Sequence, residues 1–449
     1  MFRNGLRALV LLTLLTLGLL VRGGPTAASP DDLSRTEVSI PVSGGKTLSG
    51  TVHAPRNAQE ALPGLVLVHG SGNGTRAGVA AEATAFAERG IAVLTYDKRP
   101  LGDPDYSLLA DDVVAAVDVL RRQPGVNPDA VGVWGISEGG WVMPIAAGRS
   151  PGIAFLVLAS APAQSPIRVQ TWNMRNKLAA AGVSGALADT LSTRLYRLAN
   201  DAGMFAEADH DPLPPLAALT RPVLAVYGAD DTQVPAAESA AVVQRTVTSP
   251  LTVRFLPGAG HTLRVLDEDG MYTGELVPGY ADTVGDWVSA VAAGEPLPPS
   301  GGAAPVQREQ SAPLARSAWW ESWPVQLTVL ALMVIGFLSY PLMGLVRRGR
   351  VPTRSARVLA TTGPLAVLGF VAYFVTVVDS ANWRGISPGP MAAGRPVLWL
   401  GLQALALTTV IATVITAAAW RTDRIRLGLL SAAGMLFVPW ALYWGLLLP

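Results

Sequence analysis

Four stretches near the C-terminus, 325–346, 358–378, 397–419 and 427–448, contain no Asp, Glu, Lys, Arg or His. Each is long enough to cross roughly 30 Å of hydrocarbon as a helix. A backbone in lipid must satisfy its own polar groups, so such segments are expected to be helical. Eight of the twelve tryptophans follow residue 318. Trp319, Trp320, Trp323, Trp399 and Trp420 stand at span edges, as an aromatic belt requires. Charge then sets an orientation. The loop after the first span carries Arg347, Arg348, Arg350, Arg354 and Arg357, and the loop after the third carries Arg421, Arg424 and Arg426. The loop between spans two and three has only Arg384 and Arg395, with Asp379. The two Arg-rich loops are expected on the cytoplasmic side, so whatever precedes the first span is expected outside. With no ionisable residue inside a span, the spans carry no sign of a proton relay or ion path. They read as an anchor or partner surface, whose protein partner is unknown.

The N-terminus is expected to export the chain. Arg3 and Arg7 precede an apolar run from Ala8 to Val21, and small residues follow at Thr26, Ala27 and Ala28. As a helix that run spans about 21 Å, short for a bilayer, so residues 1–28 read as a cleaved signal peptide in preference to an N-terminal anchor. There is no cysteine, which rules out disulfides and thiolate chemistry. Net charge is +1, which gives no global field for nucleic acid. The only lysines are Lys46, Lys98 and Lys177, which reads as a compositional bias and not as function.

Residues 36–293 have the pattern of an α/β domain. Thr36–Val42 and Leu48–His53 alternate around Gly44-Gly45, a hairpin signal. Apolar runs recur at Leu65–Val68, Ile91–Thr95, Ala130–Trp134, Ile153–Leu158, Val223–Tyr227 and Leu251–Leu256. Helix-patterned segments such as Ser107–Arg122 and Ala236–Val247 lie between most of them, which predicts a mostly parallel sheet. Residues 163–215 lack a strand and read as a helical cap, in which Trp172, Met204 and Phe205 either line a pocket or form cap core. Residues 294–318 are rich in Pro, Gly and Ala and read as a linker to the membrane unit, 319–449; as a free chain it would span about 25–30 Å.

The chemistry concentrates at the ends of the predicted strands. Gly135-Ile136-Ser137-Glu138-Gly139 fits G-x-S-x-G, in which a serine on a sharp strand-to-helix turn exposes its hydroxyl beside the helix N-terminus. The run Leu65–Val68 leads into His69-Gly70-Ser71-Gly72, a turn that can aim a backbone N–H at a developing oxyanion. Those donors are expected to be the amides of Ser71 and Glu138, with His69 bracing the loop. After Val223–Tyr227 come Asp230 and Asp231, and the G-x-x-D-x-x-V-P spacing selects Asp231 as the carboxylate. After Leu251–Leu256 comes His261, the one of four histidines placed for a general base. His53 reads as a strand-surface residue. His210, between Asp209 and Asp211, reads as a solvated loop residue and not a metal ligand. Asp97 and Arg99 read as a buried ion pair or loop brace. No metal or cofactor is called for.

The order Ser137, Asp231, His261, with VLVHGSG at 66–72, YDKR at 96–99, GVWGISEGGW at 132–141, YGADDTQVP at 227–235 and LPGAGH at 256–261, resembles bacterial α/β-hydrolases of the esterase, dienelactone-hydrolase and acyl-aminoacyl-peptidase kin. The resemblance covers about 36–293 and none of the membrane unit. It implies an eight-stranded hydrolase sheet with residues 163–215 as the cap. Related chains often read D-K-R-G-x-G, whereas Pro100-Leu101-Gly102 follows Arg99 here. The expected activity is that of an exported, membrane-tethered serine esterase acting on a small-molecule or lipid-like ester. A peptidase or amidase, an acyltransferase with the same triad, and a non-catalytic sensory protein are the alternatives.

Overall fold

Gly44 and Gly45 both adopt positive φ (75° and 67°), and the chain turns there between β1 (Leu33–Val42) and β2 (Lys46–Pro55). The expected hairpin is present, with longer arms than the alternation alone marks. The computed structural model describes residues 32–268, 270–346, 353–381, 385–392, 394–419 and 423–448. The expected signal peptide lies outside the described residues, as do Arg347, Arg348, Arg350, Arg384, Trp420 and Arg421.

Six further strands complete the main sheet: β3 (Leu62–Val68), β4 (Ala92–Tyr96), β5 (Val126–Ile136), β6 (Leu156–Ala159), β7 (Val223–Gly228) and β8 (Leu251–Leu256). The order is β1-β2-β4-β3-β5-β6-β7-β8, antiparallel in the first two pairings and parallel in the rest. This is the eight-stranded, mostly parallel sheet of an α/β-hydrolase. The central strands are buried on both faces, which is why they read as continuous apolar runs and not as alternation. Val66, Val68 and Val133 face α2 (Tyr106–Arg121), α3 (Gly139–Arg149) and α8 (Ala236–Thr246). Their neighbours Leu65, Leu67 and Trp134 face α1 (Ala80–Ala87) and α9 (Tyr280–Ala293).

Between β6 and β7, where residues 163–215 are expected as the cap, the chain forms α4 (Pro166–Ala180), α5 (Gly185–Asp189), a π-helical turn (Thr190–Arg194), α6 (Leu195–Asp201) and α7 (Leu213–Ala217). A two-stranded ribbon, β9 (Arg264–Leu266) and β10 (Tyr272–Leu276), follows the main sheet.

Four helices are long and apolar enough to cross a membrane: α10 (Trp323–Val346), α11 (Arg354–Ser380), α12 (Val397–Ala418) and α13 (Arg424–Tyr443). They pack side by side around Phe337, Phe370, Trp399, Phe437 and Trp440. Leu332, Ile335, Leu368, Leu407 and Ile411 point outward, giving the bundle an exposed apolar surface. Trp319, Trp320 and Trp323 are exposed, as a belt requires, at 79%, 43% and 45%. Trp399 corrects the sequence reading. It is only 2% exposed and packs, with tilted rings, against Phe370 and Tyr373 in the bundle core.

The bundle and the hydrolase unit are not merely tethered. Residues 295–318 are laid along the hydrolase surface. Gly301 bridges to Arg254 beside β8, Ser311 bonds Glu238 of α8 and Arg168 of α4, and the Glu309 carbonyl accepts from Trp172 Nε1. Met174, Leu178, Leu187 and Leu191 of the cap share one buried cluster with the four-helix bundle. A stretch rich in Pro and Gly thus lies as an ordered strap, because its backbone and short polar side chains find partners on α4, α8 and β8.

Candidate active site

Ser137 sits at φ 53°, in the left-handed region that a non-glycine residue enters only under constraint. The constraint is the turn from β5 into α3. The Ser137 amide donates to the Ala159 carbonyl on the neighbouring strand β6 (3.0 Å), and its own carbonyl accepts from the Gly140 amide (2.8 Å). The flanking glycines explain the motif. A Cβ on Gly135 would lie 2.7 Å from Met143 Sδ of α3, and one on Gly139 would lie 2.9 Å from the Val68 carbonyl at the end of β3. The serine is therefore flanked by two positions at which a side chain would collide with Met143 or with the end of β3, beside the N-terminus of α3.

Asp231 and His261 meet, although they lie on separate loops after β7 and β8. His261 Nδ1 donates to Asp231 Oδ2 at 2.9 Å, and both side chains are buried. The other carboxylate oxygen of Asp231 accepts the amides of Gln233 (2.8 Å) and Val234 (2.9 Å), which fixes its orientation. Asp230 is exposed, so between the two aspartates the geometry favours the one the spacing selects. The His261 nitrogen that faces away from Asp231 is Nε2, the atom a general base would use. The Ser137 hydroxyl makes no hydrogen bond among the described residues. The structure therefore joins Asp231 to His261 and leaves the Ser137–His261 contact open, a contact that in such sites tightens with substrate.

The loop after β3 lies against the serine. A Cβ on Gly70 would be 3.5 Å from Ser137 Cβ, and Gly72 takes φ 87°. Ser71, Gly72 and Glu138 line one apolar cleft of about 510 Å³. Neither the Ser71 nor the Glu138 amide is taken up by a backbone carbonyl among the described turn and loop bonds. His69 braces this loop, as the sequence predicts. Its Nε2 donates to the Tyr96 carbonyl at 2.7 Å, and Gly74 lies so close over the ring that a Cβ there would be 2.5 Å from His69 Cγ. Burial holds the His69 imidazole below the ordinary histidine value, so it stays neutral.

Two positioning residues escape the sequence reading. Lys98 Nζ donates to the Gly70 carbonyl (3.0 Å) and to Glu138 Oε1 (2.5 Å), tying the loop after β3 to the residue that follows Ser137. Both side chains are nearly inaccessible. One of only three lysines is thus structural cement at the site and not a compositional remnant. Tyr272 Oη accepts the His261 amide (3.0 Å) and Gln233 Nε2 (3.4 Å), bracing the histidine loop against the acid loop. Burial, with the Asp231 carboxylate nearby, keeps this phenol protonated. The signals for both were present, a rare lysine in YDKR and a tyrosine eleven residues past the histidine, but nothing local pairs them with their partners. Replacing Lys98 by Met is expected to destabilise the protein by about 3–5 kcal/mol, because it strands the Glu138 carboxylate in a buried site. The double variant Lys98→Met/Glu138→Gln should recover most of that loss. Equilibrium urea unfolding of the two variants measures it, and equal losses in both would refute the pairing.

The remaining expectations divide. Arg99 is a buried brace, but its partner is Asp112 (2.6 and 2.8 Å), whereas Asp97 bonds Arg76. His53 is not on the strand surface. It is buried in β2 between two neighbouring strands, and that burial lowers its pKa. His210 is half-buried, not fully solvated, with its ring 5.1 Å from Tyr106, edge to face. Among the described residues no group of three His, Asp or Glu side chains could hold a metal ion. Of the cap residues, Met204 and Phe205 line the cleft, while Trp172 is buried against the strap.

Residues 108–273 match the prolyl oligopeptidase family, a segment that includes Ser137, Asp231 and His261. Thiohydrolase aneE from Aspergillus aculeatus is 35% identical over 88 residues, which are 17% of this chain and 27% of that protein, so the chain spans about a quarter of that relative. Among solved structures, a hypothetical protein from Pseudomonas aeruginosa is similar at 17% identity and TM-score 0.40, over 61% of this chain and 99% of that one. A thermophilic carboxylesterase cloned from a metagenomic library is similar at 19% identity and TM-score 0.38, over 51% of this chain and 80% of that one.

Proposed function

We propose that this serine hydrolase cleaves carboxylic esters through Ser137, His261 and Asp231, from a position on the outer face of the cell membrane. The observation that carries the reading is the His261–Asp231 hydrogen bond of 2.9 Å, on loops beside a serine held at φ 53°. Ser137 Oγ attacks the acyl carbon while its proton passes to His261 Nε2. The amides of Ser71 and Glu138 receive the oxyanion. The carbon–oxygen bond to the alcohol then breaks, and the alcohol leaves with the proton held by His261. Water attacks the acyl-enzyme, His261 takes one of its protons, and the acid departs as that proton returns to Ser137. Asp231 keeps Nδ1 protonated throughout and stabilises the transient imidazolium.

An ester is favoured because an alcohol leaving group needs less protonation than an amine. A peptidase or amidase is the second reading, favoured by the match to the prolyl oligopeptidase family. The four apolar helices support tethering in a bilayer. Arg354 and Arg424 begin α11 and α13, whereas the start of α10 and the end of α13 meet the cap. The arginines therefore lie at the end of the bundle away from the hydrolase, and by the positive-inside rule this supports a hydrolase on the outer side.

The test is a fluorophosphonate probe on the full-length protein in detergent, beside matched aryl-ester and anilide substrates. The expected result is a covalent phosphonyl adduct on Ser137, with fluoride released, and turnover of the ester well above that of the anilide. Labelling of another residue, or none, would overturn the assignment. Equal turnover of the anilide would move the amidase reading to the front.

A further inference from the structure

We propose that the cleft is supplied from the bilayer, and that its substrate is an uncharged long-chain ester resident in the leaflet beneath the cap. This rests on the esterase reading above. It adds that the four-helix bundle positions a wall of the binding site and does not serve as an anchor alone.

The wall is α6. Tyr196 and Ala199 of this helix line the cleft. Leu195 and Leu198 pack against the buried cluster shared with the bundle. Arg197 pairs with Glu321 just before α10 at 2.7 Å, the two side chains only 19% and 8% exposed. Asp201 Oδ2 accepts the Trp323 amide at 2.8 Å, taking up a free N–H at the start of α10. Behind α6, Thr190 Oγ1 donates to the Trp444 carbonyl at 3.1 Å, just past the end of α13. One helix, about 10 Å thick, therefore separates the cleft from the bundle.

Depth follows from the same contacts. The exposed Trp319, Trp320 and Trp323 mark the headgroup level, and Trp323 is bonded to Asp201. Met204 is three residues beyond Asp201, within about 11 Å along the chain. Met204 lines the cleft and is 76% exposed, so an apolar lip stands at the level where a polar headgroup layer of about 5–8 Å begins. A large exposed apolar side chain at such a place is a contact for an entering chain, not a packing element.

Charge fixes the class of ligand. Among the cleft residues Lys98 is paired with Glu138, and Arg99 with Asp112. Asp103, exposed at the rim, is the remaining charged residue of the lining. Among the described residues no unpaired cation lines the cleft to receive an anionic headgroup, which favours an uncharged ester.

The experiment uses the full-length protein reconstituted in phosphatidylcholine vesicles, with 4-methylumbelliferyl oleate dissolved in the bilayer and 4-methylumbelliferyl acetate in the water. For the wild type, oleate hydrolysis is expected to follow the mole fraction of ester in the bilayer and not its bulk concentration. Arg197→Ala and Met204→Asp are each expected to lower kcat/KM for oleate relative to acetate on the order of tenfold, mainly through KM. The pair Arg197→Glu/Glu321→Arg should restore the ratio. Met204→Asp changes an exposed side chain and so tests the lip without a folding defect. Hydrolysis that follows bulk concentration, refusal of oleate by a wild type that cleaves acetate, or variants that leave the oleate-to-acetate ratio unmoved would each overturn the proposal. Acetate turnover that vanishes in Ser137→Ala shows that the esterase reading stands whatever the oleate result. Loss of both esters in the wild type would sink the two together.

Discussion

Ser137→Ala is expected to lower kcat for an aryl ester on the order of 10⁶-fold while leaving the thermal midpoint within a degree or two of wild type. The size of the kinetic loss follows from the chemistry. Without the hydroxyl there is no acyl-enzyme, and His261 loses its proton donor, so the triad fails as a unit. The small thermal effect follows from the structure. The Ser137 hydroxyl makes no hydrogen bond among the described residues, so removing it strands no partner. The Cβ that remains occupies the same strained turn at φ 53°. Stopped-flow hydrolysis and differential scanning fluorimetry on one preparation measure both. A variant that keeps more than about a hundredth of the activity would exclude Ser137 as nucleophile.

Asp231→Asn is expected to lower kcat by about 10⁴-fold, whereas Asp230→Asn should change it by no more than about twofold. Asp231 Oδ1 accepts two amides, from Gln233 and Val234. In Asp231→Asn the amide oxygen keeps those bonds, so the NH2 group turns toward His261 Nδ1. That nitrogen must then accept, which moves the ring proton to Nε2, the atom that has to receive the proton of Ser137. The geometry survives and the tautomer is wrong. Asp230 is solvent-exposed and has no such role. The same ester assay on both variants decides between the neighbours, and equal losses would show that the loop shape matters and not the carboxylate.

Much of the domain was legible because its signals are local. A parallel strand buried on both faces writes itself as a short apolar run, and six of these marked β3 to β8, with ends displaced by up to four residues. A strand-to-helix elbow needs small residues at fixed offsets, so Gly135 and Gly139 announced Ser137. Asp231 was distinguished from Asp230 by spacing that mirrors a turn in which its carboxylate bonds the next two amides but one.

What stayed hidden involves partners far apart in the chain. Lys98 meets Glu138 across 40 residues, and Thr190 meets Trp444 across 254. The apolar character of Trp399 was plain, but a tryptophan at a span edge and one in a bundle core have the same local pattern. His53 looked like a surface residue because the alternation in β2 is local and does not reveal which face of an interior strand the rest of the fold covers.

The strand and helix run, the order of Ser137, Asp231 and His261, and the four charge-free apolar stretches are all readable from the chain alone, since these depend on periodicity, backbone turns and transfer of apolar side chains over a few residues. Only the tertiary structure decided that Asp112 and not Asp97 holds Arg99, that Lys98 and Tyr272 brace the site, and that the cap rests on the bundle through Arg197 and Asp201. Those contacts are set by which strand ends, loops and helix faces the fold brings together, and no local periodicity encodes the choice, whether the partners lie 11 residues apart, as His261 and Tyr272 do, or 124, as Arg197 and Glu321 do.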